Sequence, residues 1–425
     1  MLKSSGQLKV AVVGAGVAGC AAAVLLRRAG HAVQVFEAVA KPAPIGAGVL
    51  LQPTGLQVLG QLGLRDEMIA LGAVVHQLVG DTATGRSVLD MDYRCLGPQV
   101  HGLGAQRGAL MGLLWQALRA SGAEWHCGVV VDGFAQDDAS VTLRQREREL
   151  GRFDLLVLAN GTFSQLRRQL TVPQRETLFP WGAVWCVLPQ PEGAPLQLLR
   201  QRFRGARQML GLMPVGRPHG VPDAPGGVNL FWSLRDDALK RWQAQPDAAA
   251  LSALRAEMQS LLPGVAPLLA GLTDPAQLRV ARYADVRMQH WHQGRVVALG
   301  DCAHGMSPQL GQGANMALID AWVLSQCLAA RSEVPAALSD YSRQRCAHLR
   351  FYQSASRWLT PLFQSDQRLG PGFRDAFFGT AGRLPWIKGQ SMATLSGMKS
   401  GWLLGRLDLA AATPPLYSFP MEQTS

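Results

Sequence analysis

Apolar positions along the chain switch between two periods, and the switches predict alternating strands and helices. Lys9–Val13 is a continuous β-rich run. An Ala/Leu-rich stretch with helical spacing follows from Val17 to Arg28 and stops at Gly30. His31–Phe36 then alternates as a second strand ending at Glu37. Pro42–Thr54, rich in Gly and Pro, reads as a loop, with a helix expected over Gly55–Leu62. Short β-like pieces occupy His76–Val79 and Ser87–Met91, and Arg107–Leu118 has the three- and four-residue spacing of an amphipathic helix. Strands are predicted at 125–134, 140–145 and 153–159. The stretch Pro173–Leu278 changes texture, with strands at Gly182–Leu188, Gln208–Met213 and Val228–Leu234, a turn-rich piece at Val215–Gly227 and a helix over Pro246–Leu261. Arg295–Leu299 reads as a buried strand, 313–329 as a helix, and the stretch from Leu349 as helical up to Pro361. Strands alternating with helices place the chain in the α/β class.

Two of the turns carry chemistry. Between the first strand and helix stands Gly14-Ala15-Gly16-Val17-Ala18-Gly19. In this pattern the first glycine permits a tight turn, the second leaves room for a pyrophosphate, and the third lets helix and strand pack closely. The helix N-terminus adds free N–H groups and a positive dipole end. Glu37, 23 residues after Gly14, stands where a carboxylate accepts ribose hydroxyls and disfavours a 2′-phosphate. The second signal is the strand ending at Gly300-Asp301, followed by Gly311, Gly313, Ala314 and Asn315 at the start of a helix. A strand-end acid holds hydroxyls, and the open helix start takes an electron-rich group. NAD alone would leave this second site superfluous; an extended FAD needs it. Gly46 and Gly48 let the backbone lie against something planar, or form an ordinary turn. Arg107, a cation in a helix's first turn, is best placed to reach an anion.

Composition narrows the class. The 425 residues are 48% hydrophobic and 17% charged, enough apolar material for two or three domains. Net charge is +11, from 41 Lys and Arg against 30 Asp and Glu, but the arginines are dispersed and no nucleic-acid-binding spacing occurs. No apolar run suits a transmembrane span and no cleavage pattern suits a signal peptide, so a cytoplasmic protein is expected. Seven scattered cysteines without C-x-x-C exclude a disulfide scaffold or structural zinc. His290 and His292 lack further ligands, and no metal is expected. No G-x-S-x-G element points to a serine hydrolase.

Gly14–Gly19 with Glu37, Gly46–Pro53, Arg107, Asp154–Gly161 and Gly300–Asn315 together resemble the ordered motifs of the single-component FAD-dependent aromatic hydroxylases, the p-hydroxybenzoate hydroxylase-like family. The resemblance covers about residues 8–350. It implies a Rossmann-like FAD-binding domain with an inserted β-sheet substrate domain and a helical C-terminal extension. The FAD domain is expected over 1–75, 100–172 and 280–345, the substrate domain over 76–99 and 173–279, and the extension over 346–425. Gly14, Ala15, Gly16 and Gly19 would hold a non-covalent FAD's pyrophosphate, Glu37 its ribose, Arg107 the pyrophosphate or ribityl region, and Asp301 the ribityl chain. Gly311, Gly313, Ala314 and Asn315 would line the flavin's pyrimidine edge, Pro308 its reactive face, and Gly46 and Gly48 the loop beside it. The activity implied is monooxygenation: NADH or NADPH and O₂ hydroxylate an aromatic substrate through a flavin C4a-hydroperoxide. His304 is a weak catalytic candidate or a hydrogen-bonded structural residue.

Two positions depart from the family pattern. Asn160 stands where an acid is usual, which alters a contact associated with reduced nicotinamide, and Cys302, read as packing, replaces a small residue. A flavin halogenase is disfavoured because no lysine lies between Lys41 and Lys240. An FAD-dependent dehydrogenase without oxygen insertion and a non-enzymatic interaction protein are the rivals. The C-terminal aromatics Phe373, Phe377, Phe378, Trp386 and Trp402 form buried capping helices, a lid or a peripheral membrane surface. A monomer or homodimer is expected.

Overall fold

The computed structural model describes residues 6–44, 46–191, 197–367, 369–381, 384–402 and 405–407. Its centre is a six-stranded sheet in the order His292–Gln293, Val296–Ala298, Leu155–Leu158, Lys9–Val13, Ala32–Glu37, Glu124–Cys127. All neighbours are parallel except the first pair. Val10, Val12, Leu155–Leu158 and Val296–Ala298 are fully buried, as expected of parallel strands covered on both faces. Helix Val17–Arg28 packs on helices Arg107–Ala120 and Gly313–Ala330. The glycine-rich turn, Asn160 and Asp301 therefore all leave strands at the carboxyl edge of one sheet, where open α/β sheets bind ligands.

A second sheet of seven strands runs Arg279–Met288, Gln174–Pro189, Gly227–Arg235, Gln208–Gly216, Leu198–Arg204, Gln77–Thr82, Ser87–Asp92. One face packs Leu210, Leu230 and Trp232 under helices Asp236–Ala244 and Ala248–Leu261. A small sheet of Gly48–Leu51, Gly102–Gln106 and Ala73–Val75 joins the two bodies.

Several expectations shift. The loop expected over Pro42–Thr54 contains the strand Gly48–Leu51, and the helix after it starts at Pro53, a residue suited to a first helical position. The strand expected at 125–134 divides into Glu124–Cys127 and Gly133–Gln136, in different sheets, because the chain turns at Gly128 with φ +75°. Strand 153–159 divides likewise between Arg148–Phe153 and Leu155–Leu158. Helix 246–261 begins at Ala248, where the Asp247 carboxylate accepts the Ala250 N–H at 2.7 Å. Strands Leu198–Arg204 and Arg279–Met288 and helix Asp236–Ala244 had no sequence counterpart. The boundary placed at 279/280 falls inside strand Arg279–Met288, which pairs with Gln174–Pro189 in the second sheet. The boundary at 345/346 cuts the 30-residue helix Val334–Phe363. That helix runs two residues beyond Pro361, which has no N–H to donate to the Arg357 carbonyl.

A buried polar chain fastens this long helix to the core. Asp320 is fully buried; its Oδ1 accepts Arg345 Nε at 2.8 Å, and its Oδ2 accepts the Gly300 N–H at 2.9 Å and meets His304 Nε2 at 2.5 Å. Burial alone would raise this carboxyl, but the facing His304 and Arg345 outweigh it and hold it well below the usual range. Arg345 also meets Nδ1 of buried His348 at 2.6 Å, and His348 Nε2 meets the Gly397 carbonyl at 2.8 Å. The neighbouring arginine makes Nδ1 the acceptor and Nε2–H the donor. Burial, then Arg345, push His348 down to about 3.

Asp320→Ala strands a buried guanidinium and should lower unfolding free energy by about 3–5 kcal/mol in chemical denaturation. Asp340→Ala, which removes solvent-screened pairs to the exposed Arg331 and Arg343, should cost far less than Asp320→Ala. For His348, the unfolded chain takes up a proton below its ordinary 6.5 while the folded chain resists until about 3. Stability should therefore fall as pH drops through that window. His348→Gln, which retains one donor and one acceptor, should flatten this part of the stability profile.

Candidate flavin and substrate site

At the first turn the three glycines have separate reasons. Gly14 has φ +103°, and a Cβ there would lie 2.5 Å from the Ala159 carbonyl oxygen. A Cβ on Gly19 would lie 1.9 Å from the Gly14 oxygen, so this glycine permits the helix to sit against the turn. Gly16 has nothing within 4 Å on its Cβ side. It begins the helix without a side-chain cap, leaving the first N–H groups open to an anion. Trp115 Nε1 and the Cys20 thiol both donate to the Ala15 carbonyl, holding the turn in place. Glu37 accepts the Ala15 and Val39 N–H groups at 2.8 and 2.9 Å, one on each carboxylate oxygen. Each oxygen keeps a second lone pair for a hydroxyl.

From the other end of the sheet edge opens a cavity of about 790 Å³. Gly46, Gly48, Arg107, Asp301, Pro308, Gly311, Gly313 and Ala314 all line it. Gly46 lies where a Cβ would meet the Arg107 side chain at 2.6 Å. Gly48 abuts Asn229 and Val215 of the second sheet, and its N–H donates to Asn229 Oδ1 at 2.8 Å. Both glycines thus serve close packing as well as lining the cavity. Arg107 is exposed and has no ion pair among the described residues, so its charge is available to an anionic ligand. Asp301 Oδ1 lies 3.7 Å from the Cβ position of Gly313, at the start of a helix that also lacks a side-chain cap. Gly311, with φ +62°, closes the turn Pro308–Leu310.

Two candidates stand elsewhere. Asn315 is fully buried, and its side chain is spent on protein: Nδ2 donates to Leu50 and Gly311 carbonyls, and Oδ1 accepts the Gln52 N–H. Its side chain ties the Gly311 turn to the strand at Leu50. His304 is 1% exposed, hydrogen-bonded to Asp320, and absent from the cavity wall. Cys302 is buried and its thiol is pushed up to about 11, first by burial, consistent with packing. Among the described residues no cluster of His, Cys, Asp and Glu could hold a metal ion.

Sequence reasoning missed three residues. Gln52 is fully buried and lines the cavity; Tyr93 donates to its Oε1 at 2.7 Å, leaving Nε2 without a partner. A buried orphan donor on a cavity wall fits a ligand carbonyl. Arg167, 1% exposed, donates to the Thr162 and Cys302 carbonyls and pairs with Glu176, tying the Asn160 turn to the Asp301 helix. Tyr283, on the strand that was not foreseen, lines the cavity, and burial holds its phenol far above the ordinary range as a neutral donor.

The open pyrophosphate turn, the carboxylate at the second strand and the cavity beside a second uncapped helix suit an extended dinucleotide with a ring system at one end. Comparison with known proteins agrees. Residues 7–352 match the model of the FAD binding domain family. Aurachin C monooxygenase/isomerase of Stigmatella aurantiaca is 28% identical over 80% of this chain and 85% of its own. The 6-hydroxynicotinate 3-monooxygenase of Pseudomonas fluorescens is 26% identical over 83% and 91%. The fold is similar to Klebsiella pneumoniae HpxO complexed with FAD and uric acid, with TM-score 0.76 and 24% identity over 92% and 98%.

Gly16→Val and Gly19→Val separate binding from folding. The first fills open space beside the turn, so the protein should purify without FAD and melt at the temperature of FAD-stripped wild type. The second collides with backbone and should lower thermal stability sharply. Flavin absorbance and thermal melts read the two effects. The chain belongs to the FAD binding domain family, among the FAD-dependent monooxygenases that hydroxylate aromatic compounds.

Proposed function

We propose that the protein hydroxylates an apolar phenolic, quinone-like or fused heteroaromatic compound, with NADH or NADPH as electron donor, in the cytoplasm. The observation that carries this reading is the shared cavity. Its flavin-side wall is Gly46–Leu50 and Pro308–Ala314, and its opposite wall is built from Leu78, Leu199, Leu212, Met213, Trp185 and Phe231. Apolar side chains interspersed with polar ones, among them Gln52, Asn229, Arg279 and Tyr283, suit a planar ring system carrying oxygen substituents. Of the ring compounds named for the relatives, urate is a fused heteroaromatic, which supports the ring class, whereas 6-hydroxynicotinate is a small aromatic acid. Those relatives are monooxygenases, which favours oxygen insertion over the dehydrogenase alternative.

FAD, when bound, supplies electron transfer from the nicotinamide to O₂ and delivery of one oxygen atom to the ring. The overall reaction is NAD(P)H + H⁺ + O₂ + substrate → hydroxylated substrate + NAD(P)⁺ + H₂O. Gly16 and the first helix would hold the pyrophosphate, Glu37 the adenosine ribose, and Asp301 the ribityl hydroxyls. Arg107 would meet the pyrophosphate or ribityl end, and Gln52 Nε2 would donate to a ring carbonyl. The titratable groups lining the cavity are Asp301, Tyr283, Arg107, Arg279 and Arg282, with no histidine, lysine or glutamate among the described residues. With Asp301 assigned to the ribityl chain, no separate base remains to ionise a phenol. Substrates whose rings are already electron-rich are therefore favoured, with Tyr283 orienting a substrate oxygen by donation.

A substrate screen following both NAD(P)H oxidation and product mass tests this. A true substrate gains one oxygen labelled from ¹⁸O₂, and fused apolar rings should couple better than small aromatic acids. Efficient coupling by small aromatic acids alone would refute the substrate class. Tyr283→Phe should raise KM for an oxygen-bearing substrate about tenfold, the cost of one lost hydrogen bond, while flavin content stays unchanged.

A further inference from the structure

Outside the cavity, the C-terminal helices carry a surface that the reaction does not use. Trp358, Trp386 and Trp402 are 69%, 69% and 55% exposed. Trp402 lies 4.9 Å from Trp358 and meets Phe351 edge-on at 5.1 Å, centroid to centroid. Phe351, Trp386, Ile387, Thr394, Lys399 and Trp402 line one groove of about 460 Å³, so the aromatic rings form a continuous patch. Exposed apolar surface of this kind, rimmed by polar groups, marks an interaction site.

Cations outnumber acids in the sequence around the patch. From Ala376 to Leu407 the sequence contains no Asp or Glu and four cations, Arg383, Lys388, Lys399 and Arg406. Lys399 lines the groove but is only 5% exposed, bonded to Gln390, and bridges through its backbone to Arg406, whose side chain is the exposed cation there. Arg350 is exposed beside Phe351 on the long helix. The carboxylate of Asp92, near Lys388, is already bound by Arg94. A two-fold contact between copies would set this cationic strip against itself, which disfavours a second chain as the occupant. Indoles with cations around them match the interface of an anionic bilayer, with the rings at headgroup level and the cations over phosphates.

We propose that this face docks on an anionic lipid surface. Helix Pro385–Leu395 then has two jobs, since Trp386, Ile387 and Gln390 face the groove while Met392 is buried and Leu395 lines the flavin-side cavity. An apolar aromatic substrate dissolved in the bilayer would meet the protein one helix away from the reaction site.

Co-sedimentation of the full-length, FAD-loaded protein with phosphatidylcholine vesicles, with and without phosphatidylglycerol, tests the proposal. Binding should appear with the anionic vesicles, shift tryptophan emission to the blue, and weaken as salt shortens the reach of the charges. Arg406→Gln should weaken it about fivefold, the contribution of one cation near a charged membrane. Trp386→Ser with Trp402→Ser should abolish it while the bound flavin stays at wild-type level. No pelleting with anionic vesicles at low salt, or undiminished pelleting of the double variant, would overturn it. So would a dimer that the double variant dissolves, or binding of single-stranded nucleic acid in place of vesicles.

Discussion

The contact between the first helix and helix Gly313–Ala330 fixes the rest of the site. They meet at a point where only small side chains fit: a Cβ on Gly300 would lie 3.0 Å from that of Ala18 and 3.4 Å from that of Ala317. Gly300 also has φ +58°, which lets the chain leave the buried strand and turn towards Asp301. Because both helices follow parallel strands, both begin at the same edge of the sheet. Two sets of unpaired N–H groups, almost 300 residues apart in sequence, are thereby brought to one side of the protein. A single long cofactor can satisfy both, and neither helix carries a side-chain cap that would compete.

Wherever the chemistry sat on the backbone, it was legible in the sequence. The run Lys9–Val13, the helix Val17–Arg28 and the helix from Gly313 appear where the apolar period placed them, because short parallel strands and their crossover helices are set by local pattern. The second sheet was only partly readable. Gln174–Pro189 is long and begins exposed, and Arg279–Met288 carries charges at 279, 282, 285 and 287, so neither shows clean alternation. Their pairing is decided by partners distant in sequence, including a register shift between Leu178 and Gly182. What the sequence could not show is which polar side chains are satisfied within the protein. His304 and Asn315 had the right sequence position, but Asp320 and the Leu50 and Gly311 carbonyls already hold them. Gln52 and Arg167 gave no signal, since their roles follow from burial alone.

The same polar groups explain why the C-terminal helices belong to the site. Arg345 and His348 carry the Asp320 network to Gly397, Thr54 donates to the Ser396 carbonyl, and Gln312 donates to the Leu395 carbonyl at 2.6 Å. The segment beyond the family match thus closes one side of the flavin turn and contributes Leu395 to the cavity. No helix among the described residues is long and apolar enough to cross a membrane. Helix Pro385–Leu395 contributes Leu395 to the cavity and Trp386, Ile387 and Gln390 to the aromatic groove.

Comparative titration of the apo-protein with FAD, FMN and riboflavin tests the central claim most directly, namely that one cofactor is held at both of its ends. The adenosine end supplies the contacts to Glu37 and the pyrophosphate turn, so FAD should bind at least about a hundredfold more tightly than FMN, equivalent to roughly 2.7 kcal/mol. Glu37→Ala should narrow that gap without changing the affinity for FMN. Equal affinity for FAD and FMN would contradict the account, because it would mean that the glycine-rich turn and Glu37 take no part in holding the cofactor.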